Sequence, residues 1–501
     1  MFREFPYRLK TPLLMALLGC AVACVAISSQ SLWIDEAQTA MKAIPPTLHG
    51  WWQALDNEHN SNMQLPLYML YIWGWARVFG LSEVALRAAN APWFLLGLCG
   101  IAHFLRRHPG LRGATILIYS LHPFVWSYLN EARPYIMQLA AAILVSGCLF
   151  VALDQPEEPL PASWWWLFFG GLVILCGGGL LGVPWAIAIT LLLAGRAEFR
   201  KSIFRAGLPA LAACAPILVV LALYFAWTLK QNIEAGYRPM SFPVILSVFY
   251  DQLGFMGLGP GRDALRPASV IHPGDESIAS LRGYILPLAL LGLPLAAGLI
   301  VASRRRFGIS PARLITVLLL AGSPACLIFA LGFIRHVRIL SRHLTPLFPF
   351  ILLAQAYAVF LLWKSGRPLG RATAVLIVIA LTLSSLETRF AFRHSKDDYR
   401  AAAAAAIQAL AAGKTVWWAA AAEGAKYYRV PLVSNEVPGA ARFIYALPPG
   451  FSAPPDEIVL SKPDVFDTPG TLTNFIATHH YREVAAWKAF TLWEKPEAPG
   501  G

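Results

Sequence analysis

"SLWIDEAQTA", residues 31–40, places two adjacent acids, Asp35 and Glu36, just beyond an apolar run that begins near Pro12. Whether that run is a cleaved leader or a membrane span decides the fold. The run, about residues 11–29, follows the basic "MFREFPYRLK" and has the layout of a signal peptide, but similar runs recur through the chain. It therefore reads as a retained first helix.

Composition supports that reading. The 501 residues are 57% hydrophobic and 14% charged, against roughly 25% charged residues in soluble domains. A helix of about 20 apolar residues spans a bilayer, and such stretches recur near 84–104, 112–128, 134–153, 163–181, 183–195, 208–229, 283–303, 312–334, 344–363 and 372–390. With the first run they make about eleven spans. "LPLYMLYIWGWARVFG" at 65–80 is apolar too, but its aromatics, Gly74 and Arg77 suit an interfacial helix.

Charge sets the expected orientation, because cytoplasmic loops collect Lys and Arg. "LRRHPGLR" at 105–112, "GRAEFRKSIFR" at 195–205, "SRRRFGISPAR" at 303–313 and "KSGRPLGR" at 364–371 alternate correctly with a cytoplasmic N-terminus, and only "DQPEEPLP" at 154–161 dissents. The net charge of +13 thus reflects topology, and no nucleic-acid partner is expected. The loops 30–83 and 230–282 and everything after about 390 fall on the outer face, the second loop being a candidate lid. All seven cysteines lie in expected spans without a C-x-x-C pair, which argues against disulfides and zinc-thiolate sites.

Membrane-length periodicity stops near residue 391. "KDDYRAAAAAAIQALAAGK" offers Asp397 or Asp398 as a helix cap and Gly413 as its end. "TVWWAA" and "DEIVLS" read as strands, "EGAKYY" and "GTLTNFIATHH" as helices, and "YREVAAWKAFTLWE" as closing strands. The fold class is therefore a mainly α integral membrane bundle, residues 1–390, followed by a small extracytoplasmic α/β domain, residues 391–501.

Three features gather around the two acids on the outer face. "GWWQALDNEHNSNMQLPLY" supplies Trp51, His59, Gln64 and Tyr68, a mix suited to stacking on sugars and bonding hydroxyls, although Trp also anchors at lipid headgroups. "NEARPY" at 130–135 puts Glu131, Arg133 and Tyr135 in one turn; a guanidinium there suits a lipid phosphate, or simply pairs with the acid to hold the turn. "RHVRILSRHLTP" at 335–346 adds Arg335, Arg338 and Arg342 on the side where the positive-inside trend discourages them, for which anion binding is the simplest reason.

That set suggests a reaction. A sugar delivered on a lipid phosphate already has a stabilised leaving group, so one carboxylate to take the acceptor's proton suffices, with arginines stabilising the departing phosphate. Glycosidases need two carboxylates flanking one bond, whereas neighbours such as Asp35 and Glu36 usually point apart. The alternative, a carrier or flippase of polyprenyl-linked sugars, lacks the buried charges that line transport paths.

"WIDEAQTA" after a first span, "LPLYMLYIWGWARVFGLSEVALRAANA" at 65–91, "NEARPYIMQLA" at 130–140 and "SRHLTPLFPFILL" at 341–353 together resemble the polyprenyl-phosphate-sugar-dependent glycosyltransferases of the GT-C superfamily. The resemblance is to the bacterial protein O-mannosyltransferase and aminoarabinose transferase group, over roughly residues 10–400. It implies a GT-C-type bundle with an outer cavity, a polyprenyl-phosphate-sugar donor and inversion at the anomeric carbon. Hexosyl or pentosyl transfer would go to a lipid, glycan or protein acceptor of the cell envelope, at the bacterial inner membrane. It further implies Asp35 as catalytic base with Glu36 as its partner, and Arg133 and Arg342 as phosphate-binding residues. Arg87 matches another recurrent arginine of the group. Many relatives carry His-Pro-Pro before the interfacial helix, where this chain keeps only Pro66 of "NSNMQLPLY". Some relatives hold a divalent cation with acids; no outer His/Asp set here has ligand spacing, so no metal site is assigned and a divalent cation is the one cofactor left open.

Overall fold

A computed structural model describes residues 5–57, 61–154, 160–231, 240–261, 280–305, 311–435, 437–445 and 454–496. Seven helices among them are long and apolar enough to cross a membrane, from Glu83–Phe104 to Pro368–Phe390. Shorter apolar helices at Leu13–Ala26, Ala162–Gly177 and Leu180–Ala194 accompany them. The chain is a multi-pass membrane protein. Leu223, Leu293, Leu318 and Leu319 stay exposed along these helices, as surfaces that face lipid do.

Proline placement explains several boundaries. The stretch expected near 112–128 forms two helices, Pro109–Leu121 and Pro123–Leu129, because His122 precedes Pro123 and is extended with ψ 128°. The basic "GRAEFRKSIFR", expected as a loop, is instead largely helical: Ala197–Ser202 runs through a π turn, Ile203–Gly207, into Leu208–Thr228. Tyr135–Asp154 lies at the centre and contributes to two apolar cores. One joins it to the first helix and the last two. The other joins it to Ala162–Gly177, Val183–Ala194 and Leu208–Thr228.

At one end the segment 30–83 folds into helices Ile34–Ala43, Leu48–Asp56 and Pro66–Phe79 around the 3-10 turn Ser61–Gln64. Aromatic handles satisfy its buried backbone: Trp51 Nε1 donates to Met69 O at 3.2 Å, Tyr71 OH to Ala89 O at 2.8 Å and Trp73 Nε1 to Pro45 O at 2.8 Å. Of the segment 230–282, helix Phe242–Gln252 is described. Residues 232–239 and 262–279, about half of the expected lid, lie outside the described residues.

The same end carries a six-stranded sheet. Its strands are β1 (Val416–Ala419), β2 (Leu432–Val433), β3 (Ala441–Phe443), β4 (Glu457–Ser461), β5 (Arg482–Trp487) and β6 (Phe490–Glu494), in the order β2-β3-β1-β4-β6-β5. The first four are parallel, and β6 and β5 add antiparallel. Alternation along β1 feeds both faces. Val416 and Trp418 pack under helix Tyr399–Ala411, while Trp417 and Ala419 pack under Thr471–Thr478. Asp398, rather than Asp397, caps the first of these helices by accepting from Ala401 N, and Gly413, at φ +79°, follows its end.

Tyr428 docks the sheet on the bundle: its hydroxyl accepts from Leu32 N at 2.9 Å and donates to Glu83 Oε1 at 3.0 Å. Arg400 Nη2 adds contacts to Glu83 Oε1 at 2.6 Å and Ser29 O at 2.8 Å.

Candidate active site

Helix Ile34–Ala43 is preceded by Trp33, whose backbone is extended, and carries the two acids in its first turn. Adjacent positions on a helix diverge by about 100°, and the structure separates the pair accordingly. Asp35 stays partly exposed beside Arg342. Glu36 turns inward and is fully buried.

Glu36 has a filled coordination shell. Its Oε1 accepts from Arg87 Nε at 2.9 Å and Ala132 N at 2.9 Å. Its Oε2 takes Arg87 Nη2 at 2.8 Å and Lys396 Nζ at 2.9 Å. Arg87, also fully buried, spends its remaining donors on Ser28 O, Gln30 O and Ser31 O at 2.7–3.0 Å. The loop ahead of the helix is thereby tied to the turn at 130–134. Burial alone would push the Glu36 carboxyl up, but Arg87 and Lys396 outweigh it and hold it at about 2. Both oxygens of Glu36 are thus occupied by partners within the protein.

Asp35 keeps about a fifth of its side chain exposed and forms an ion pair, Oδ2 to Arg342 Nη2 at 3.0 Å. The Arg342 guanidinium carbon lies 5.3 Å from the Trp33 ring centre and 5.9 Å from that of Tyr135, so two aromatic faces hold it. Arg133 approaches from the turn: Nη1 donates to Asn62 Oδ1 at 2.6 Å, Thr39 Oγ1 at 3.1 Å and Asp35 O at 3.3 Å. Burial would raise the Asp35 carboxyl, but Arg342 and Arg133, joined by Lys462, keep it below the usual carboxylate range. Asp35 is therefore ionised at neutral pH.

Three chain regions far apart in sequence thus converge: 33–39, 131–135 and 341–342. Helix Phe242–Gln252 steadies the third, since Asp251 Oδ2 accepts from Ser341 Oγ at 2.5 Å while Gln252 Nε2 donates to Ser341 O and Leu344 O.

The remaining expected residues divide. Tyr68 is buried beside Arg133, and its hydroxyl has no hydrogen-bond partner among the described residues. Burial pushes that phenol well above its usual range, and Arg133 pulls against it. Gln64 is half-buried at the end of the 3-10 turn. Glu131 is buried in the turn, where its carbonyl accepts from Asn90 Nδ2 at 2.5 Å. Trp51, expected to stack on a sugar, is buried in the apolar cluster of the helices between residues 32 and 89. Arg335 is exposed at the end of its helix and Arg338 is half-buried after it, whereas the ion pair to Asp35 comes from Arg342. His59 lies outside the described residues.

Lys396, Lys462 and Thr39 belong to the site's surroundings without having been expected there. Lys396 stands in the "KDDYR" run, whose composition signalled a helix start and gave no sign of a contact with Glu36. Among the described residues no group of three or more His, Cys, Asp or Glu side chains is placed to hold a metal ion.

The sequence matches no protein-family model and no curated protein. Solved structures do match. ArnT from Cupriavidus metallidurans in the apo state superposes with a TM-score of 0.53 at 14% identity, over 96% of this chain and 97% of that one. The chain shares the ArnT fold. ArnT bound to undecaprenyl phosphate matches equally, with a TM-score of 0.52 at 15% identity and coverage of 96% and 97%. The GT-C-type bundle expected from the sequence is thus the observed architecture, and the full-length ArnT match includes the α/β unit.

Proposed function

We propose that the chain is an inverting glycosyltransferase that moves a hexosyl or pentosyl group from a polyprenyl-phosphate-linked donor to a hydroxyl of a cell-envelope lipid, glycan or protein. Its place would be the bacterial inner membrane, with the site and the α/β unit on the outer face. The observation that carries this reading is the Asp35–Arg342 pair, flanked by Arg133, at the mouth of an apolar bundle with the ArnT fold.

The chemistry follows from the pair. Arg342 and Arg133 would receive the donor's phosphate, guanidinium being suited to bidentate contact with its oxygens. A phosphate that draws Arg342 away weakens its hold on Asp35, and the carboxylate becomes a stronger base only when donor is present. The acceptor oxygen attacks the anomeric carbon from the face opposite the phosphate, its proton passes to Asp35, and the C–O bond breaks with its electron pair leaving on the phosphate.

ArnT has been solved with undecaprenyl phosphate, which supports the same lipid class here. Binding of undecaprenyl phosphate to the purified protein, by wild type and by Arg133→Met with Arg342→Met, tests this assignment. Wild-type binding that the double variant loses is expected; equal binding by both would refute the phosphate site.

A further inference from the structure

The "KDDYR" run, Lys396–Arg400, joins the last membrane helix to the α/β unit, and the proposed reaction gives it no role. Its side chains divide between two tasks. Lys396 and Arg400 grip the bundle: Lys396 Nζ lies 2.9 Å from Glu36 Oε2 and donates to Asn130 O at 2.6 Å, and Arg400 pairs with Glu83. Asp397, Asp398 and Tyr399 grip the α/β unit: Asp397 accepts from Lys462 at 2.5 Å, Asp398 caps its helix, and Tyr399 is fully buried in the core.

Arg87 already supplies Glu36 with a bidentate counter-charge. A second cation is therefore superfluous for neutrality. What Lys396 adds is a connection, because it alone of these three residues is carried by the strap of the α/β unit.

We propose that Lys396 is a positioning residue for sugar transfer: through Glu36 it fixes the first turn of helix Ile34–Ala43, and hence the direction of the Asp35 carboxylate, making catalysis depend on docking of the α/β unit. The inference rests on Asp35 being the base. The ammonium is the element of this chain that can be switched off. Burial lowers its pKa to about 8 although Glu36 opposes that, with Arg87 pushing the same way as burial. The charged groups facing it are Glu36, Arg87 and Glu131. As pH rises through about 8 the proton leaves, and the strap's hold on Glu36 falls from an ion pair to a neutral hydrogen bond while Arg87 keeps its charge. An arginine at 396 would stay charged throughout.

The test uses the full chain in nanodiscs. Transfer rates from pH 6.5 to 10 are measured for wild type, Lys396→Arg and Lys396→Met, and hydrogen exchange, corrected for intrinsic rates, is followed over residues 31–40. Wild type should lose activity by about tenfold per pH unit above the break, Lys396→Arg should retain it, and Lys396→Met should be slow at every pH with faster exchange in 31–40 only. Coincident pH profiles for wild type and Lys396→Arg would overturn the proposal, as would wild-type exchange in Lys396→Met. Absence of transfer by wild type with every donor would instead refute the proposed function, and the exchange data would still decide whether Lys396 holds the turn.

Discussion

Arg342 Nη2 meets Asp35 Oδ2 at 3.0 Å while its guanidinium lies between the rings of Trp33 and Tyr135. The pair joins a helix that follows the first span to the turn that begins a late one. Neither residue can shift without disturbing the other.

Arg342→Lys keeps the charge and loses the planar fork that two rings and a carboxylate now hold. The Michaelis constant for donor should rise by about 10- to 100-fold with a smaller change in turnover, and Arg342→Met should lose about 1000-fold in kcat/KM. Steady-state kinetics with titrated donor checks both.

Glu36→Gln removes the carboxylate on which Arg87 and Lys396 converge, leaving buried cations uncompensated. Breaking a buried pair in this way costs about 3–5 kcal/mol. The variant should show a lowered unfolding temperature in detergent, whereas Asp35→Asn, at a partly exposed position, should unfold near the wild-type temperature.

The same carboxylate gives an acid limb to stability. Its pKa falls from 4.5 to about 2 on folding, so its contribution is fully present above the unfolded value and is lost as pH drops through that window. The depression corresponds to about 3 kcal/mol. Unfolding free energy measured from pH 6 to 2 should decline in wild type and do so less steeply in Glu36→Gln.

Gly257→Ala tests the packing of the Arg342 end against the last membrane helix. A Cβ at 257 would lie 1.8 Å from Ser384 O, and Ser384 Oγ accepts from Gly257 N at 3.0 Å and donates to Gly254 O at 2.7 Å. The substitution should destabilise by about 1–3 kcal/mol, seen as a lower unfolding temperature.

The membrane helices were legible because each needs a long apolar run, and length survives without any knowledge of neighbours. β1, β4 and the closing hairpin were legible from apolar or alternating runs. β2 and β3, with two and three residues, are too short to show a period. Arg342 stood out in a cationic run expected on the side where cations are scarce, and Arg133 as a guanidinium in a turn suited to phosphate. Glu36 was named beside Asp35, but its ion pairs with Arg87 and Lys396 could not be read from sequence, since those partners meet it only through tertiary packing. Trp51 illustrates the same gap: an indole with its N–H on Met69 O and one offered to a sugar look alike in a sequence.

The central claim, that Asp35 takes the acceptor's proton in sugar transfer from a lipid phosphate, is tested most directly by one assay. Purified wild type and Asp35→Asn are each given radiolabelled sugars on synthetic polyprenyl phosphates, with a cell-envelope lipid and glycan extract as acceptor. Label should move into the extract with wild type and not with Asp35→Asn, although both proteins insert and fold. Full transfer by Asp35→Asn, or label that crosses vesicles on its lipid without ever reaching an acceptor, would contradict the account.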